Sequence, residues 1–234
     1  MPVLSIIIPV YNEKDTILQI LKKINQVDFS NLNFEKEIIL IDDKSTDGTR
    51  ELIKNLEDSY TVLFNEKNSG KSSSLRRGIE AATGDWIIIQ DADLEYDPAD
   101  IYKLLELALR ENAQVVYGSR TLNKDNQKRR YSGMVFAIGG LFVTWVTNLL
   151  YNTKITDEPT CYKLFKTDLL KSLPLKCQRF EFCPEVTARV AKKKIKIHEL
   201  PINYYPRHKN EGKKINWRDG VEAIWTLIKY RFKK

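Results

Sequence analysis

The chain has 234 residues, of which 29% are charged and 42% hydrophobic, and it carries a formal net charge of +7. That balance excludes a disordered polymer and fits one large α/β domain, or such a domain with an appendage. The basic charge permits phosphorylated substrates, anionic lipid or nucleic acid as partners. Basic residues cluster at 124–130, 192–196, 207–214 and 229–234, but no nucleic-acid motif accompanies them, so no nucleic acid is expected.

Residues 5–9, SIIIP, read as a buried strand that leaves through Pro9, Tyr11, Asn12 and Glu13. Ile17, Leu18, Leu21 and Ile24 then recur at helical spacing. Residues 37–41, EIILI, form a second strand ending in Asp42 and Asp43, with Ser45, Thr46, Asp47 and Gly48 as turn residues. A helix bearing Leu52, Ile53 and Leu56 follows, then a short strand over 61–64. Asn68, Ser69, Gly70 and Lys71 lead into a helix running through Ala82. The stretch 68–72 looks like the end of a P-loop. That motif needs a glycine five residues before its second glycine, and Asn65 stands there, so this is no Walker A site.

Trp86, Ile87, Ile88 and Ile89 make an apolar run typical of a strand buried on both faces. Asp91, Asp93 and Glu95 follow at its exit. In extended chain residues i and i+2 point the same way, so Asp91 and Asp93 are expected to face one point in space. Two like charges there repel unless something positive neutralises them. A hard divalent cation, its shell completed by substrate phosphates, is one solution. The plainer reading is a solvated acidic loop before the next helix. Asp97 suits the cap of that helix and Pro98 its first position. Ile101, Leu104, Leu105 and Ala108 give it one apolar face, and a strand over 113–117 ends at Gly118, Ser119 and Arg120.

Strands that alternate with helices imply a mostly parallel sheet with right-handed connections. Ligands of such sheets sit outside the carboxyl ends of the strands. The polar groups of 11–13, Asp42, Asp43, 91–95 and Arg120 all fall at those ends.

The second half is less regular. Residues 131–153 carry no charge and follow Lys128, Arg129 and Arg130. Their length allows a membrane span. Gly133, Gly139, Gly140, Thr144, Thr147, Asn148 and Asn152 dilute the hydrophobicity, so a helix lying on the domain or in a membrane interface is expected instead. Residues 157–163 read as a turn into a strand, 180–191 as an entry into a helix, and 195–200 as a strand. Residues 207–214 form a basic polar stretch. Trp217, Val221, Ile224, Trp225 and Ile228 then recur at helical spacing ahead of Lys229, Arg231, Lys233 and Lys234. That tail fits a helix docked on the core as well as one facing anionic headgroups. Cys161, Cys177 and Cys183 show no C-x-x-C spacing, which argues against a disulfide framework and suits a reducing compartment. The first residues lack the pattern of a signal peptide. His198 and His208 belong to no catalytic-looking motif.

Six stretches together resemble the family 2 glycosyltransferases: SIIIPVYNE (5–13), EIILIDDKSTDGT (37–49), ATGDWIIIQDADLEYDP (82–98 with Ala81 before it), VVYGSR (115–120), TDEPTCYKLF (156–165) and EGKKINWRDG (211–220). Within that family the chain is similar to the dolichyl- and polyprenyl-phosphate hexose synthases. The resemblance implies an α/β, Rossmann-like fold of the nucleotide-sugar-binding GT-A type over 1–216, with 217–234 as an amphipathic helix. It implies that Pro9, Tyr11, Glu13 and Asp42 hold the nucleoside, and that Asp91, Ala92 and Asp93 serve the metal and diphosphate, with Mg²⁺ or Mn²⁺ as cofactor. The family often has an amide where Glu95 stands; here Glu95 is a third candidate metal ligand. Lys71 lies in a stretch that departs from the family's usual pattern and is a candidate diphosphate contact. Arg120 matches the arginine that reaches phosphate, and with Arg130 it is the candidate for the acceptor phosphate. Arg207 and Lys213 match a basic loop that closes over the donor.

The implied reaction is inverting transfer of a hexose from a nucleotide diphosphate sugar to a polyprenyl phosphate. A phosphate acceptor is already ionised near neutrality and needs no general base. A sugar hydroxyl acceptor needs one, and Asp157 is the candidate. Many relatives carry C-terminal transmembrane helices. None follows here, so a peripheral position at the cytoplasmic face of a membrane is expected. The rival readings are a sugar-to-sugar transferase on the same fold and a non-catalytic nucleotide or nucleic-acid binding module.

Overall fold

The computed structural model describes residues 1–122, 134–207 and 217–233. Its centre is a seven-stranded sheet of β1 (Val3–Val10), β2 (Glu35–Asp42), β3 (Thr61–Phe64), β4 (Trp86–Ile89), β5 (Val115–Ser119), β6 (Lys163–Lys166) and β7 (His198–Pro201). The spatial order is β3-β2-β1-β4-β6-β5-β7, and every pairing is parallel except those of β6. Helices α1 (Ile17–Gln26), α2 (Thr49–Lys54), α3 (Lys71–Ala81), α4 (Ala99–Arg110), α5 (Met134–Tyr151), α6 (Thr167–Ser172), α7 (Phe182–Lys192) and α8 (Trp217–Phe232) complete the described elements.

The unbroken apolar runs of β1 and β4 are explained by cover on both faces. Leu4, Ile6, Ile8 and Val10 of β1 pack with Ile17, Ile20 and Ile24 of α1 and Ile101, Leu104 and Leu105 of α4. Ile7, between them in sequence, points to the other face with Leu75 and Ile79 of α3 and Val186 and Val190 of α7. Alternation along an extended strand gives this division. Helix α3 approaches the sheet closely because position 78 is glycine: a Cβ there would stand 2.5 Å from Ile7 Cγ2 and 2.8 Å from Ile41 Cδ1. A third cluster joins Val143 and Val146 of α5 to Ala188 of α7 and Leu227 and Tyr230 of α8.

Asp97 caps α4 as its residue type predicts. Its carboxylate accepts the Ala99 N–H at 3.1 Å. Pro98 has helical angles one position ahead of the first full turn. Three features differ from the sequence reading. Strand β6 is antiparallel to both neighbours, because the chain enters it from the end at which they leave. The short helix α6 follows β6 directly and was not anticipated. Strand β7 begins at His198, while Ile195 and Ile197 pack against the α3 and α7 face ahead of it. For the uncharged stretch, α5 is a helix lying against α7 and α8. Among the described residues, no helix is long and apolar enough to cross a membrane.

Candidate active site

The carboxyl ends of β1, β2, β4 and β5 lead into one polar edge, and the acidic turn after β4 is its centre. The spacing of Asp91 and Asp93 predicts extended chain between them, and the structure has a turn there instead. Residues 92–93 form a turn, and Leu94 takes a left-handed φ of 63°. The Asp93 carboxylate accepts the Glu95 N–H at 3.0 Å, which stabilises this turn. The left-handed backbone at a leucine is strained and persists because the surroundings fix it.

Each aspartate has a cation. Lys71 Nζ lies 2.5 Å from Asp91 Oδ1, and Arg207 Nη2 lies 3.3 Å from Asp93 Oδ2. Burial pushes the Asp91 carboxyl up, but the Lys71 ammonium outweighs it and holds the group below the usual carboxylate range. Asp93 goes the other way. Burial, then the like charges of Asp91 and Glu95, raise its carboxyl to about 7 against the pull of Arg207. Two carboxylates that cannot both ionise without a cation fit a hard divalent ion. Asp91 and Asp93 are the pair that would hold it, with diphosphate oxygens completing the shell. Among the described residues no group of three or more His, Cys, Asp and Glu side chains is arranged to enclose a metal. Glu95 accordingly has other partners: one oxygen accepts the Tyr204 hydroxyl and the other the Arg207 N–H, both at 2.7 Å.

Arg207 is placed by backbone pairing as well. Tyr204 bridges Tyr96 in antiparallel fashion, and the Tyr205 N–H donates to Glu95 O at 2.8 Å. The chain after β7 is thereby laid along the acidic turn. The Arg207 guanidinium continues to Glu13, donating to both carboxylate oxygens at 3.1 and 2.9 Å. Glu13 also accepts the Thr16 hydroxyl at 2.8 Å. The expected nucleoside contact is thus an anchor for Arg207 in this structure. Lys213 and Arg130 lie outside the described residues, as do most of the 207–214 stretch and His208.

The loops after β1 and β2 hold one another. Asn12, at a left-handed φ of 51°, donates its N–H to Ser45 Oγ and accepts the Thr46 N–H on its side chain. Asp42 is buried and accepts from the Ser45 N–H and from Arg50 Nη1 at 3.1 and 3.0 Å. Its neighbour Asp43, which the sequence places at the same strand end without a role, organises the approach to α3. It accepts from Asn65 Nδ2 and from the Ser69 and Gly70 N–H groups at 2.7, 2.8 and 2.8 Å. Gly70 has a φ of 89°, and a Cβ there would meet Gln178 O at 2.6 Å, so only glycine fits. This turn delivers Lys71 to Asp91. Pro9 and Tyr11 close β1 beside it, half-buried, and Ala92 is buried beneath the acidic turn.

Arg120 and Asp157 require a correction. Asp157 is fully buried, and both its oxygens accept from the Arg120 guanidinium at 2.7 Å, with the Arg120 N–H adding a third bond at 2.9 Å. This enclosed ion pair commits three of the carboxylate's acceptor sites to Arg120, so Asp157 stands in a buried ion pair rather than free to face a substrate hydroxyl as a general base would. The two join β5 to the chain ahead of β6. The guanidinium also stacks over Tyr204 at 5.0 Å. A shallow cavity of about 840 Å³ at the opposite edge, lined by Glu35, Lys36, Glu37 and Tyr60, has no part in this chemistry. Lys36 there caps the carbonyls of Ile24, Asn25 and Val27.

The mostly parallel sheet, with its acidic turn and converging cations at the carboxyl edge, has a fold of the GT-A class. The chain belongs to glycosyl transferase family 2, whose family model matches residues 5–173. It is 25% identical over 249 aligned positions to the UDP-N-acetylglucosamine–dolichyl-phosphate N-acetylglucosaminyltransferase of Methanococcus voltae, covering 98% of this chain and 96% of that protein. It is 27% identical to a dolichyl-phosphate beta-glucosyltransferase of Trichomonas vaginalis, covering 96% of this chain and 72% of that one. Glucosyl-3-phosphoglycerate synthase of Mycobacterium tuberculosis, solved with Mn²⁺, UDP and phosphoglyceric acid, superposes with a TM-score of 0.72 at 20% identity, over 99% of this chain and 79% of that one. Mannosyl-3-phosphoglycerate synthase of Rubrobacter xylanophilus gives 0.73 at 18%, over 98% and 72%. At these identities the two solved structures establish the fold.

Proposed function

We propose that this protein transfers a hexose from a nucleotide diphosphate sugar, of the UDP-glucose or GDP-mannose type, to a polyprenyl phosphate at a membrane surface. An acceptor phosphate oxygen attacks the anomeric carbon as the bond to the diphosphate breaks. The nucleoside diphosphate leaves with that electron pair, and configuration inverts. A divalent cation bound at Asp91 and Asp93 supplies charge neutralisation on the diphosphate. Lys71 and Arg207 are the chain's own cations there, preorganised by Asp43 and Glu13, and they stabilise the charge that builds on the leaving group. The ionised acceptor needs no base, in keeping with the enclosure of Asp157. The two dolichyl-phosphate transferases at 25% and 27% identity support the same acceptor class.

The observation that carries the lipid acceptor is the outward face of α5 and α8. Ile138, Leu141, Phe142, Trp145 and Leu149 lie exposed along one side of α5, and Trp217, Val221, Trp225, Ile228 and Phe232 along one side of α8. Trp145 is 58% exposed and Trp225 62%, though such rings are normally covered. Lys229 and Arg231 stand at the end of α8. Apolar side chains with aromatic anchors and basic ends suit an anionic lipid interface. Helix α5 also connects to the site: the Glu158 N–H donates to Thr144 Oγ1 at 3.0 Å, and Asn148 holds both polar groups of the Ile155 backbone at 2.8 and 3.0 Å. Each buried prenyl methylene contributes about 0.8 kcal/mol, so a few isoprene units dominate acceptor affinity.

The test is a panel of UDP-glucose, GDP-mannose and UDP-N-acetylhexosamine with prenyl phosphates of graded length and Mg²⁺ or Mn²⁺, read by mass spectrometry. Flotation with anionic liposomes runs beside it. Expected are a lipid-linked sugar, turnover rising with prenyl length, and salt-sensitive liposome binding that Trp145→Ser with Trp225→Ser weakens. No liposome binding and no dependence on prenyl length would leave a soluble acceptor in its place.

A further inference from the structure

Two of the three cysteines meet at the back of the candidate site. Cys161 lies just ahead of β6, and Cys183 is the second residue of α7. The Cys183 thiol donates at 3.3 Å to the carbonyl of Thr160, the residue that Cys161 follows in the chain. Lys71 Nζ lies 3.2 Å from Cys161 Sγ while it holds Asp91 at 2.5 Å. Cys161 and Cys183 are half-buried residues, whereas Cys177 is buried among the side chains of α3 and α7. The scattered spacing in sequence hid this pair, because the fold brings the loop ahead of β6 to the first turn of α7, 22 positions further on.

We propose that Cys161 and Cys183 form a dithiol modification site, oxidised by hydroperoxides to a disulfide that detaches Cys161 from Lys71. With hydrogen peroxide, one thiol sulfur attacks a peroxide oxygen, the O–O bond breaks, and a sulfenic acid and one water result; an organic hydroperoxide releases its alcohol in place of that water. The second sulfur then displaces the hydroxyl as a second water, leaving the S–S bond. Two thiols and one hydroperoxide are consumed, and a dithiol reductant reverses the change. The Cys161 sulfur then belongs to the bond with Cys183, and Lys71 loses one of the groups that fix its ammonium on Asp91. In a reducing compartment such a bond is transient and reports oxidant. The disulfide stands independently of the glycosyl-transfer reading; its effect on donor binding rests on it.

The experiment treats the full chain with hydrogen peroxide, blocks remaining thiols and maps the peptides. Expected is a reversible cross-link between the Cys161 and Cys183 peptides, with Cys177 still alkylated, and no cross-link in Cys183→Ser or Cys183→Ala. UDP and GDP titrations in Mg²⁺ follow, with a fall in affinity of roughly fivefold on oxidation, restored by dithiothreitol. Thiols that stay alkylatable, or that over-oxidise singly without a cross-link, would overturn the site. A cross-link with nucleotide affinity unchanged would overturn its control of Lys71. Reduced protein that binds neither nucleotide counts against the donor assignment alone, since the peptide map still decides the disulfide.

Discussion

The Arg207 guanidinium meets the Glu13 carboxylate through two parallel hydrogen bonds across 194 positions of sequence. The same guanidinium lies 3.3 Å from Asp93. One planar cation therefore ties the exit of β1 to the acidic turn after β4. A fork of donors suits this role and a point charge does not.

Arg207→Ala is expected to cost about 1–3 kcal/mol in stability, the scale for leaving a buried charged partner unmatched. Arg207→Lys should recover little of it. Combined with Glu13→Gln, the losses should fall short of additivity by about 1 kcal/mol in urea titrations. Strict additivity would mean that the two residues are not coupled.

Asp93→Asn removes a carboxylate that its neighbours already repel. The melting temperature should equal or exceed that of the wild type, because burial and the charges of Asp91 and Glu95 disfavour the ionised form. Metal-dependent donor turnover should fall by about a hundredfold or more, the scale for losing one preorganised charge contact. Full turnover at low metal would remove Asp93 from the site.

Asp157→Asn separates structure from catalysis. The buried pair predicts a loss of about 3–5 kcal/mol, since the Arg120 charge is left without its partner. Arg120→Ala should cost a similar amount. A variant of normal stability that fails only with sugar hydroxyl acceptors would return Asp157 to the role of base.

Glu158 gives the pH dependence a sign. It is fully buried, and burial raises its carboxyl to about 8 against the pull of the Lys163 ammonium. Between its ordinary value of 4.5 and about 8, the folded chain binds the proton that the unfolded chain releases. Stability should therefore fall as pH rises through that window and level off above it. At pH 7 the contribution is about 3 kcal/mol by linkage. Urea midpoints from pH 5 to 8 should drop less steeply for Glu158→Gln than for the wild type. Parallel curves would show that Glu158 ionises freely.

Much of this was legible in the chain. The runs at β1, β2 and β4 are apolar without alternation, and only a sheet covered on both faces accounts for them. Asp91, Asp93 and Arg120 stand out in the chain because strand exits gather polar groups, although the Arg120 guanidinium pairs with Asp157. What escaped needed contacts distant in sequence. The enclosure of Asp157 depends on β6 running antiparallel, and four residues, Lys163–Lys166, carry no mark of direction. Asp43 and Asp42 are identical neighbours, and only the turn after Asn65 decides which one holds Gly70. Leu94 has no glycine or asparagine signal for its left-handed φ, so the turn there could not be told from extended chain.

Strand β6 also sets an order of assembly. Strands β1 to β4 pair among themselves as β3-β2-β1-β4, so the first 89 residues contain every partner of this half-sheet except β6, which pairs with β4. Strand β5 is different: its partners are β6 and β7, and neither has been made when β5 leaves the ribosome. It must wait for 163–166, with α5 synthesised in between. Until β6 arrives, β4 presents an unpaired edge and Arg120 has no Asp157. The centre is therefore completed late, when one short strand pairs between two that precede it in the chain.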